Sequence, residues 1–305
     1  MGERPIACYT VKMSPMQVEK LRHVLEMQQW EFYNVPYAHY GFRGNKVNVV
    51  AYQSGTVVIQ GSKAMDLMQF TIEPEIMGAI LLGYEEHRHP EWFIEHGGMD
   101  ESGKGDLFGP LVTACVIADG KVVKQWIDLG VKDSKTIHSS SQIFALDAKI
   151  RKSENVVVEV FLLSMRKYNE LYGKFSSNLN RLLAWYHSTS LRNARIHRPV
   201  QKVILDQFST APLVQRFFTD DRDLDIAMRP RAEEDPVVAA ASIVARAEYL
   251  RAMEDLSENA GEELLRGANN SVLEQAKRLV KKFGANRLGD FAKMHFSTAQ
   301  KAVYA

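Results

Sequence analysis

The sequence is poor in cysteine and lacks long apolar runs. Its two cysteines, Cys8 and Cys115, are too few to build a disulfide framework. Its apolar runs, such as residues 237–241, are far shorter than the roughly 18 residues of a membrane-spanning helix. The first residues do not combine a charged stretch with an apolar one, as a secretion signal does. These absences exclude a disulfide scaffold and favour a cytoplasmic protein without a membrane partner.

An excess of charge of one sign is also missing. The chain has 38 Lys and Arg against 37 Asp and Glu, so its formal net charge is only +1. Any polyanionic partner must therefore be held by a local patch. Residues 275–305 contain seven basic residues and a single acid, Asp290. This basic segment is either the solvated face of an amphipathic helix or a set of nucleic-acid phosphate contacts.

The overall composition indicates an ordinary folded protein. Hydrophobic residues make up 46% of the 305 residues and charged residues 25%, as in typical globular chains. At about 100–200 residues per domain, this length corresponds to two domains, or to one large domain with an appendage. The balanced charge gives no reason to expect an oligomer, and a monomer is expected.

The beginning of the chain predicts a helix followed by a hairpin. Apolar residues recur at helical spacing over residues 14–30, with Ser14 as N-cap and Pro15 at the first helical position. Residues 46–61 alternate apolar and polar side chains around a turn at Gly55, which is typical of a β-hairpin.

A second helix around residues 64–70 would complete a small α+β module, residues 1–88. The charged segment interrupted by Pro90 favours a linker, placed at residues 89–95. The remaining residues, 96–305, form the second predicted domain.

This second domain has the pattern of a sheet covered by helices. Short apolar runs bounded by turn residues alternate with longer helical patterns. The predicted strands are residues 110–118, 155–163, 202–206 and 223–228. The predicted helices are residues 139–152, 178–196, 237–256 and 272–283.

Residues 97–110 combine two adjacent acids with glycines around a lysine, and this segment has several interpretations. The run from Gly98 to Lys104 has the spacing of a phosphate-binding loop, but Gly105 stands where that loop needs a Ser or Thr hydroxyl. The loop would also place Asp100 and Glu101 against phosphates that they repel. A nucleotide hydrolase is therefore the weaker alternative, and a plain acidic turn beside a glycine-rich loop is a second one.

The other interpretation makes Asp100 and Glu101 metal ligands at the end of a strand. Adjacent strand residues point to opposite faces, so the two acids converge only where the strand bends or ends. The loop of Gly103, Lys104 and Gly105 would then offer backbone amides and positive charge to a substrate.

Two-metal phosphoryl chemistry requires more than two acids. Asp206 directly follows an apolar strand, where open sheets display ligands, although Asp also initiates turns. Glu233, Glu234 and Asp235 precede a helix rich in small residues, where acids are often partners of the helix dipole.

Taken together, these segments resemble ribonuclease HIII, a branch of the bacterial type 2 ribonuclease H family. DESGKGD at residues 100–106 with FGP at 108–110 resembles the opening motif of the family, and KDSK at 132–135 its second motif. Three further parts of this sequence are similar to later blocks of the family and occur in the same order. They are ILDQF at 204–208, AE at 232–233 with VAAASI at 238–243, and KMHF at 293–296 with TAQK at 298–301.

The N-terminal AYQSG at residues 51–55 with QG at 60–61 is similar to the appended module of this branch. The resemblance implies that this module has the fold of the TATA-binding protein and grips the substrate. Candidates for the grip are Arg43, Lys46, Asn48, Tyr52 and Gln53. Each of them alone could equally be a plain exposed strand residue.

The resemblance implies an α/β, ribonuclease H-like mixed sheet with a catalytic quartet of acids. The first three acids correspond to Asp100, Glu101 and Asp206. The fourth corresponds to Glu233, with Glu234 or Asp235 as alternatives.

The resemblance also implies substrate contacts by Ser102, the Gly103–Gly105 loop, Ser134 and Lys135, with turn capping as the alternative for Ser134. His295 is left out of catalysis, because a lone histidine is often structural.

The implied function is hydrolysis of the RNA strand of RNA/DNA hybrids, leaving 5′-phosphate and 3′-hydroxyl ends. Two Mg²⁺ ions, with Mn²⁺ as an alternative, would support it. A protein that binds hybrids without cutting them is the alternative from another class.

Overall fold

The computed structural model describes residues 7–78, 85–137 and 139–304. The chain divides into two compact units, Met1–His89 and Pro90–Ala305. Residues 1–6 and 79–84 of the predicted N-terminal module lie outside the described residues. In the predicted linker, residues 90–93 form a 3-10 turn, and Trp92 and Phe93 pack against the core of the second unit. None of the described helices is long and apolar enough to cross a membrane.

The first unit is a five-stranded antiparallel sheet with helices on one face. Its strands are β1 Ala7–Lys12, β2 Glu31–Tyr33, β3 Ala38–Gly44, β4 Val47–Tyr52 and β5 Thr56–Gly61. Its helices are α1 Pro15–Met27, α2 Ala64–Leu67 and α3 Glu85–Arg88. The sheet order is β1-β5-β4-β3-β2. This unit confirms the predicted α+β fold of the module.

The sequence explains both the helix and the hairpin of this unit. Ser14 caps α1 with a capping box, because its hydroxyl accepts from the Gln17 amide while the Gln17 side chain accepts from the Ser14 amide. Val49 and Ile59 of the β4–β5 hairpin face the helices and are fully buried. The second predicted helix differs from the prediction, since the α-helical part ends at Leu67 and a π-helix that contains Pro74 continues to Met77.

The second unit is built on a five-stranded mixed sheet. Its strands are β6 His96–Ser102, β7 Val112–Ala118, β8 Val157–Leu162, β9 Lys202–Asp206 and β10 Asp225–Arg229. In the order β10-β9-β6-β7-β8, strand β9 runs parallel to β10 and β6, whereas β7 runs antiparallel to β6 and β8. The predicted mixed sheet is confirmed.

Helices cover both faces of this sheet. They are α4 Gly120–Asp128, α5 Ser140–Lys152, α6 Met165–Lys174, α7 Leu179–His197, α8 Pro236–Ala260, α9 Asn270–Phe283 and α10 Ser297–Val303. One buried cluster joins one face of the sheet to α4, α5, α8 and α9, and smaller clusters lie between the other face and α7.

The central strand β6 was absent from the predicted strands, and its glycines explain why. Gly97 and Gly98 interrupt the apolar alternation that indicates a strand. A Cβ atom on Gly98 would lie 2.4 Å from the backbone of Val237 and Val238. Glycine therefore lets the N-terminal turn of α8 pack directly on the strand that carries the first two acids.

Candidate active site

Two acids lie side by side at the ends of neighbouring parallel strands. Met99 of β6 is paired with Leu205 of β9, so the next residues, Asp100 and Asp206, stand at the same level. Because side chains alternate along a strand, residues at one level of parallel strands point to the same face. The structure thus brings these two predicted ligands together.

The carboxyl group of Asp100 is buried on the face that α8 covers. Its Oδ1 accepts from the Glu101 amide at 2.8 Å, and Ser242 of α8 lines the same cavity and favours the charged form of the carboxyl group. Burial, together with the charge of Glu101, raises the pKa of Asp100 to about 7. The site therefore holds more negative charge than it can solvate.

Glu101 faces the opposite side of the sheet, towards α7. Its Oε2 lies 3.2 Å from Nε2 of His187, and its Oε1 accepts from the Lys104 ammonium at 3.3 Å. Burial would raise the pKa of Glu101, but the hydrogen bond and charge of His187 and the charge of Lys104 outweigh it and lower this pKa. Glu101 is thus held as a carboxylate.

The strand does not bend to bring the two adjacent acids together. Its pairing with β7 stays regular from His96 to Ser102, so the carboxyl groups of Asp100 and Glu101 leave on opposite faces. Both nevertheless line one cavity of about 450 Å³ at the strand end. The chain turns only at Gly103, whose φ is +81°.

The turn of residues 232–234 brings the fourth candidate acid to the end of β9. The Ala232 amide donates to Oδ1 of Asp206 at 3.4 Å. Glu233 is half-buried, and its Oε2 is buried without a hydrogen-bond partner in the part of the chain that the structure describes. A buried carboxylate oxygen without a donor is costly unless a cation reaches it.

The two alternative acids for the fourth ligand, Glu234 and Asp235, both interact with other residues of the protein. The side chain of Glu234 is 61% exposed and pairs with Arg231. Asp235 is fully buried, its Oδ1 lies 3.0 Å from Nε2 of His96, and it caps α8 by accepting from the Val237 amide. This arrangement favours Glu233 among the three acids.

Lys135 lies in the field of three of the four candidate acids. Burial would lower the pKa of its ammonium, but nearby carboxylates outweigh this effect and raise the pKa. The acids responsible are Asp100, Asp133, Glu233 and Asp206. The charges of Asp100, Asp206 and Glu233 thus all act on one ammonium, which lines the same cavity as Asp100 and Asp206.

The donor set fits a hard divalent cation. All four candidate ligands are carboxylates, which Mg²⁺ and Mn²⁺ prefer. The raised pKa of Asp100 and the unpaired oxygen of Glu233 both indicate a demand for positive charge. Among the described residues, no group of three or more His, Cys, Asp or Glu side chains is arranged so that it could already hold a metal ion.

The predicted substrate contacts of the second unit line the same cavity, namely Ser102, Gly103, Lys104, Gly105, Ser134 and Lys135. The turn at Ser134 is capped by Asp133, which accepts from the Lys135 amide. The Ser134 hydroxyl does not act as this cap, because it shares a hydrogen bond with the Ser242 hydroxyl at 2.6 Å.

The candidates of the first unit lie on or beside the hairpin. Asn48 and Tyr52 alternate with buried residues of β4 and therefore point away from the helices. Nε of Arg43 donates to Oδ1 of Asn48 at 3.1 Å. Lys46 occupies the β3–β4 turn with a φ of +62°, and the Gln53 amide donates to the Tyr37 carbonyl.

Several residues of the cavity escaped prediction. They are Asp106, Ser242, Arg246, Tyr249 and Arg266. His187 of α7, which contacts Glu101 from outside the cavity lining, was also missed. Those on α7 and α8 belong to helical patterns that also describe plain packing faces, so the sequence carries no separate signal for them. His295, left out of catalysis, lies 2.9 Å from the Tyr168 hydroxyl and stacks on Tyr172.

The basic segment near the end of the chain is partly neutralised. On α9, Lys277 pairs with Glu274, and Arg278 pairs with Glu262 across to the preceding loop. This pairing favours the solvated-helix interpretation for these two cations.

Comparisons with known proteins find similarity along most of the chain. Residues 97–299 match the family described as Ribonuclease HII, and residues 9–71 match a domain of unknown function, DUF3378. The chain is 34% identical to "Ribonuclease HIII" of Protochlamydia amoebophila over 92% of this chain and 91% of that protein. It is 35% identical to "Ribonuclease HIII" of Chlamydia pneumoniae over 95% and 96%.

A solved structure is similar over the same extent. The crystal structure of Bst-RNase HIII in complex with Mn²⁺ has a TM-score of 0.66 and 27% identity, and the likeness covers 98% of each chain. The likeness therefore includes both units of the present chain.

Proposed function

This chain belongs to the ribonuclease HII family, and from that premise we propose that it cuts the RNA strand of RNA/DNA hybrids by a two-metal mechanism. It is a ribonuclease H, an enzyme that acts on a nucleic acid with the help of divalent metal ions. The observation that carries the proposal is the position of Asp100 and Asp206 at the ends of neighbouring parallel strands, in one cavity with Glu101 and Lys135.

The four acids would share the work of holding the ions. Asp100 and Asp206 stand together at the strand ends, Glu101 approaches from the α7 side, and Glu233 brings the oxygen without a partner. When bound, two Mg²⁺ or Mn²⁺ ions supply activation of the attacking water and stabilisation of the leaving 3′ oxygen. The products are then a 5′-phosphate and a 3′-hydroxyl.

The remaining residues of the cavity would position the RNA. The backbone of Gly103 to Gly105 turns sharply at the cavity and can approach a ribose closely, because a Cβ on Gly105 would meet nothing within 4 Å. We assign the 2′-hydroxyl, which distinguishes RNA from DNA, to this loop. Lys135 brings positive charge to a phosphate between the acids.

The first unit supports substrate binding in this proposal. Tyr52 and Asn48 lie on the open face of its sheet, where Arg43 adds a positive charge. An aromatic ring and hydrogen-bonding side chains on a sheet suit a nucleic-acid backbone and sugar. The protein is proposed to act as a monomer in the cytoplasm, the compartment that its two free cysteines suggest.

The experiment that tests the proposal compares two neutralised aspartates on an end-labelled hybrid. We expect Asp206→Asn to lose at least about a hundredfold in cleavage rate with Mg²⁺, because a ligand is lost. The exposed Asp223→Asn serves as control and keeps the wild-type rate. Equal rates for Asp206→Asn and the wild type under saturating Mg²⁺ would refute the ligand assignment, and hybrid binding without any cleavage by the wild type would leave a binding protein.

A further inference from the structure

Two arginines of the cavity lack an acidic partner. Arg246 of α8 and Arg266, in the loop before α9, both line the cavity that contains the acids. Other arginines of this region pair with carboxylates, for example Arg251 with Asp147 and Arg278 with Glu262. Within the described part of the chain, neither Arg246 nor Arg266 forms an ion pair.

The two guanidinium groups bring like charges to one cavity. Burial lowers the pKa of Arg246, and the charge of Arg266 lowers it further, while Asp133 acts in the opposite direction. Two neighbouring cations without an ion pair among the described residues attract an anion, and the planar guanidinium suits a phosphate with two parallel hydrogen bonds.

Both arginines are anchored to the elements that form the site. The Arg246 guanidinium donates to the Ser134 carbonyl, at the turn that carries Lys135. Arg266 precedes Gly267, whose amide donates to Oδ1 of Asp106 at 2.6 Å and so ties this loop to the glycine-rich segment. The position of the pair relative to the acids is therefore set by the fold.

The pair shares the cavity with Asp100, Glu101 and Asp206 but forms no ion pair with them. Ser242, which lines the cavity with Asp100, and Arg246 are four residues apart on α8, or about 6 Å along the helix axis. The Arg246 guanidinium is held by the Ser134 carbonyl and not by an acid. It suits a neighbouring phosphate of the same substrate.

We propose that Arg246 and Arg266 form a subsite for one backbone phosphate of the hybrid that neighbours the scissile phosphate. The subsite rests on the proposed function, because its ligand is the same hybrid. It carries no base specificity, since phosphate contacts set the register of the substrate rather than read its sequence.

The test scans neutral methylphosphonate linkages, one position at a time, along both strands of a short hybrid. Binding is measured in EDTA, so cleavage does not interfere, for the wild type, Arg246→Met and Arg266→Met. We expect a neutral linkage at one position near the cleavage site to weaken binding by the wild type about tenfold. In Arg246→Met and Arg266→Met, the same neutral linkage should leave the affinity unchanged. In each variant, the slope of the logarithm of the binding constant against the logarithm of salt concentration should also be shallower than in the wild type by about 0.9.

Arg278→Met is the matched control, because Arg278 is exposed and outside the cavity. In this variant, the neutral linkage that weakens wild-type binding should weaken binding to the same extent. Arg266→Met guards against misfolding, since the Arg266 side chain is exposed. The subsite alone would be overturned if each neutral linkage lowered the affinity equally in the wild type and in both variants, while the wild type still cut hybrids. A wild type that neither binds nor cuts hybrids would refute the proposed function and the subsite together.

Discussion

Nε2 of His187 lies 3.2 Å from Oε2 of Glu101 and joins helix α7 to the strand that carries the first two acids. The imidazole is fully buried, and its Nδ1 has no hydrogen-bond partner among the described residues. The carboxylate can only accept, so Nε2 must carry the proton. The ring also stacks on Phe208, which follows β9 two residues after Asp206.

Removal of this imidazole should impair the use of metal. We expect His187→Ala to lower hybrid cleavage by roughly 10–100-fold at limiting Mg²⁺, because residues that orient a ligand have effects of this size. Part of the loss should be recovered at high Mg²⁺. The measurement is the cleavage rate as a function of Mg²⁺ concentration.

A second histidine of α7 provides the control. His197 is largely exposed and lies 3.4 Å from Glu159, away from the cavity, so His197→Ala should follow the wild-type metal dependence. His187→Gln keeps an N–H donor and should recover part of the activity. If His187→Ala showed the wild-type Mg²⁺ dependence, the orienting role would be excluded.

The raised pKa of Asp100 predicts a pH-dependent change in stability. Its folded-state pKa of about 7 exceeds the ordinary value of 3.8, so the folded protein binds the proton more tightly than the unfolded chain does. The stability from this group is therefore present at low pH and is lost as the pH rises towards 7. In EDTA, we expect Asp100→Asn to raise the unfolding temperature more at pH 8 than at pH 5.

Metal should reverse this order. Mn²⁺ added at pH 8 should raise the unfolding temperature of the wild type, because a ligand that binds only the folded state stabilises it. Asp100→Asn should respond less. An unfolding temperature of Asp100→Asn below that of the wild type at pH 8 in EDTA would show that the carboxylate is not under electrostatic strain.

The two neighbouring glutamates should differ sharply in their effect on activity. Glu233→Gln removes the carboxylate whose oxygen lacks a partner, whereas Glu234→Gln removes an exposed surface charge. We expect the first variant to lose at least about a hundredfold in rate and the second to stay within about twofold. The assay is steady-state cleavage of a labelled hybrid in Mg²⁺. The reverse pattern would identify Glu234 as the fourth ligand.

The buried contact between His96 and Asp235 should be important for stability. The two side chains are fully buried 3.0 Å apart, and they connect the start of β6 to the N-cap of α8. We expect His96→Ala to lower the free energy of unfolding by about 3–5 kcal/mol, because Asp235 would lose a buried partner. Urea denaturation measures the change.

The exposed pair of Arg278 and Glu262 offers a comparison for this prediction. Glu262→Gln should change the free energy of unfolding by less than about 1 kcal/mol. Similar changes for His96→Ala and Glu262→Gln would mean that the buried contact does not stabilise the fold.

The sequence predicts those elements whose side chains follow a regular period. Strand β9 matches its predicted bounds, residues 202–206, because it is a short apolar run that ends at an acid. Helix α1 was recognised from its cap and its first proline. Strand β6 was not, because its glycines interrupt the apolar pattern. The reason for glycine there is the close packing of α8, which involves residues about 140 positions later.

The site is predictable where acids follow strands and unpredictable where helices supply the partners. Asp206 comes directly after the apolar residues of β9, whereas Asp100 was found through the pair of acids and the glycine-rich loop that follows it. The choice of Glu233 depends on a turn that begins at Arg231, which has a φ of +54°. His187 and Arg246 lie on helices, and only the tertiary structure shows which side chains of a helix reach the cavity.

The most direct test of the central claim is cleavage of an end-labelled RNA/DNA hybrid beside a DNA duplex with one ribonucleotide, each with Mg²⁺ and with EDTA. We predict that the RNA strand of the hybrid is cut at several positions with Mg²⁺, leaving 5′-phosphate and 3′-hydroxyl ends, and is not cut in EDTA. The duplex with one ribonucleotide should be cut weakly. Cleavage that persists in EDTA, or an intact hybrid in Mg²⁺, would contradict the account.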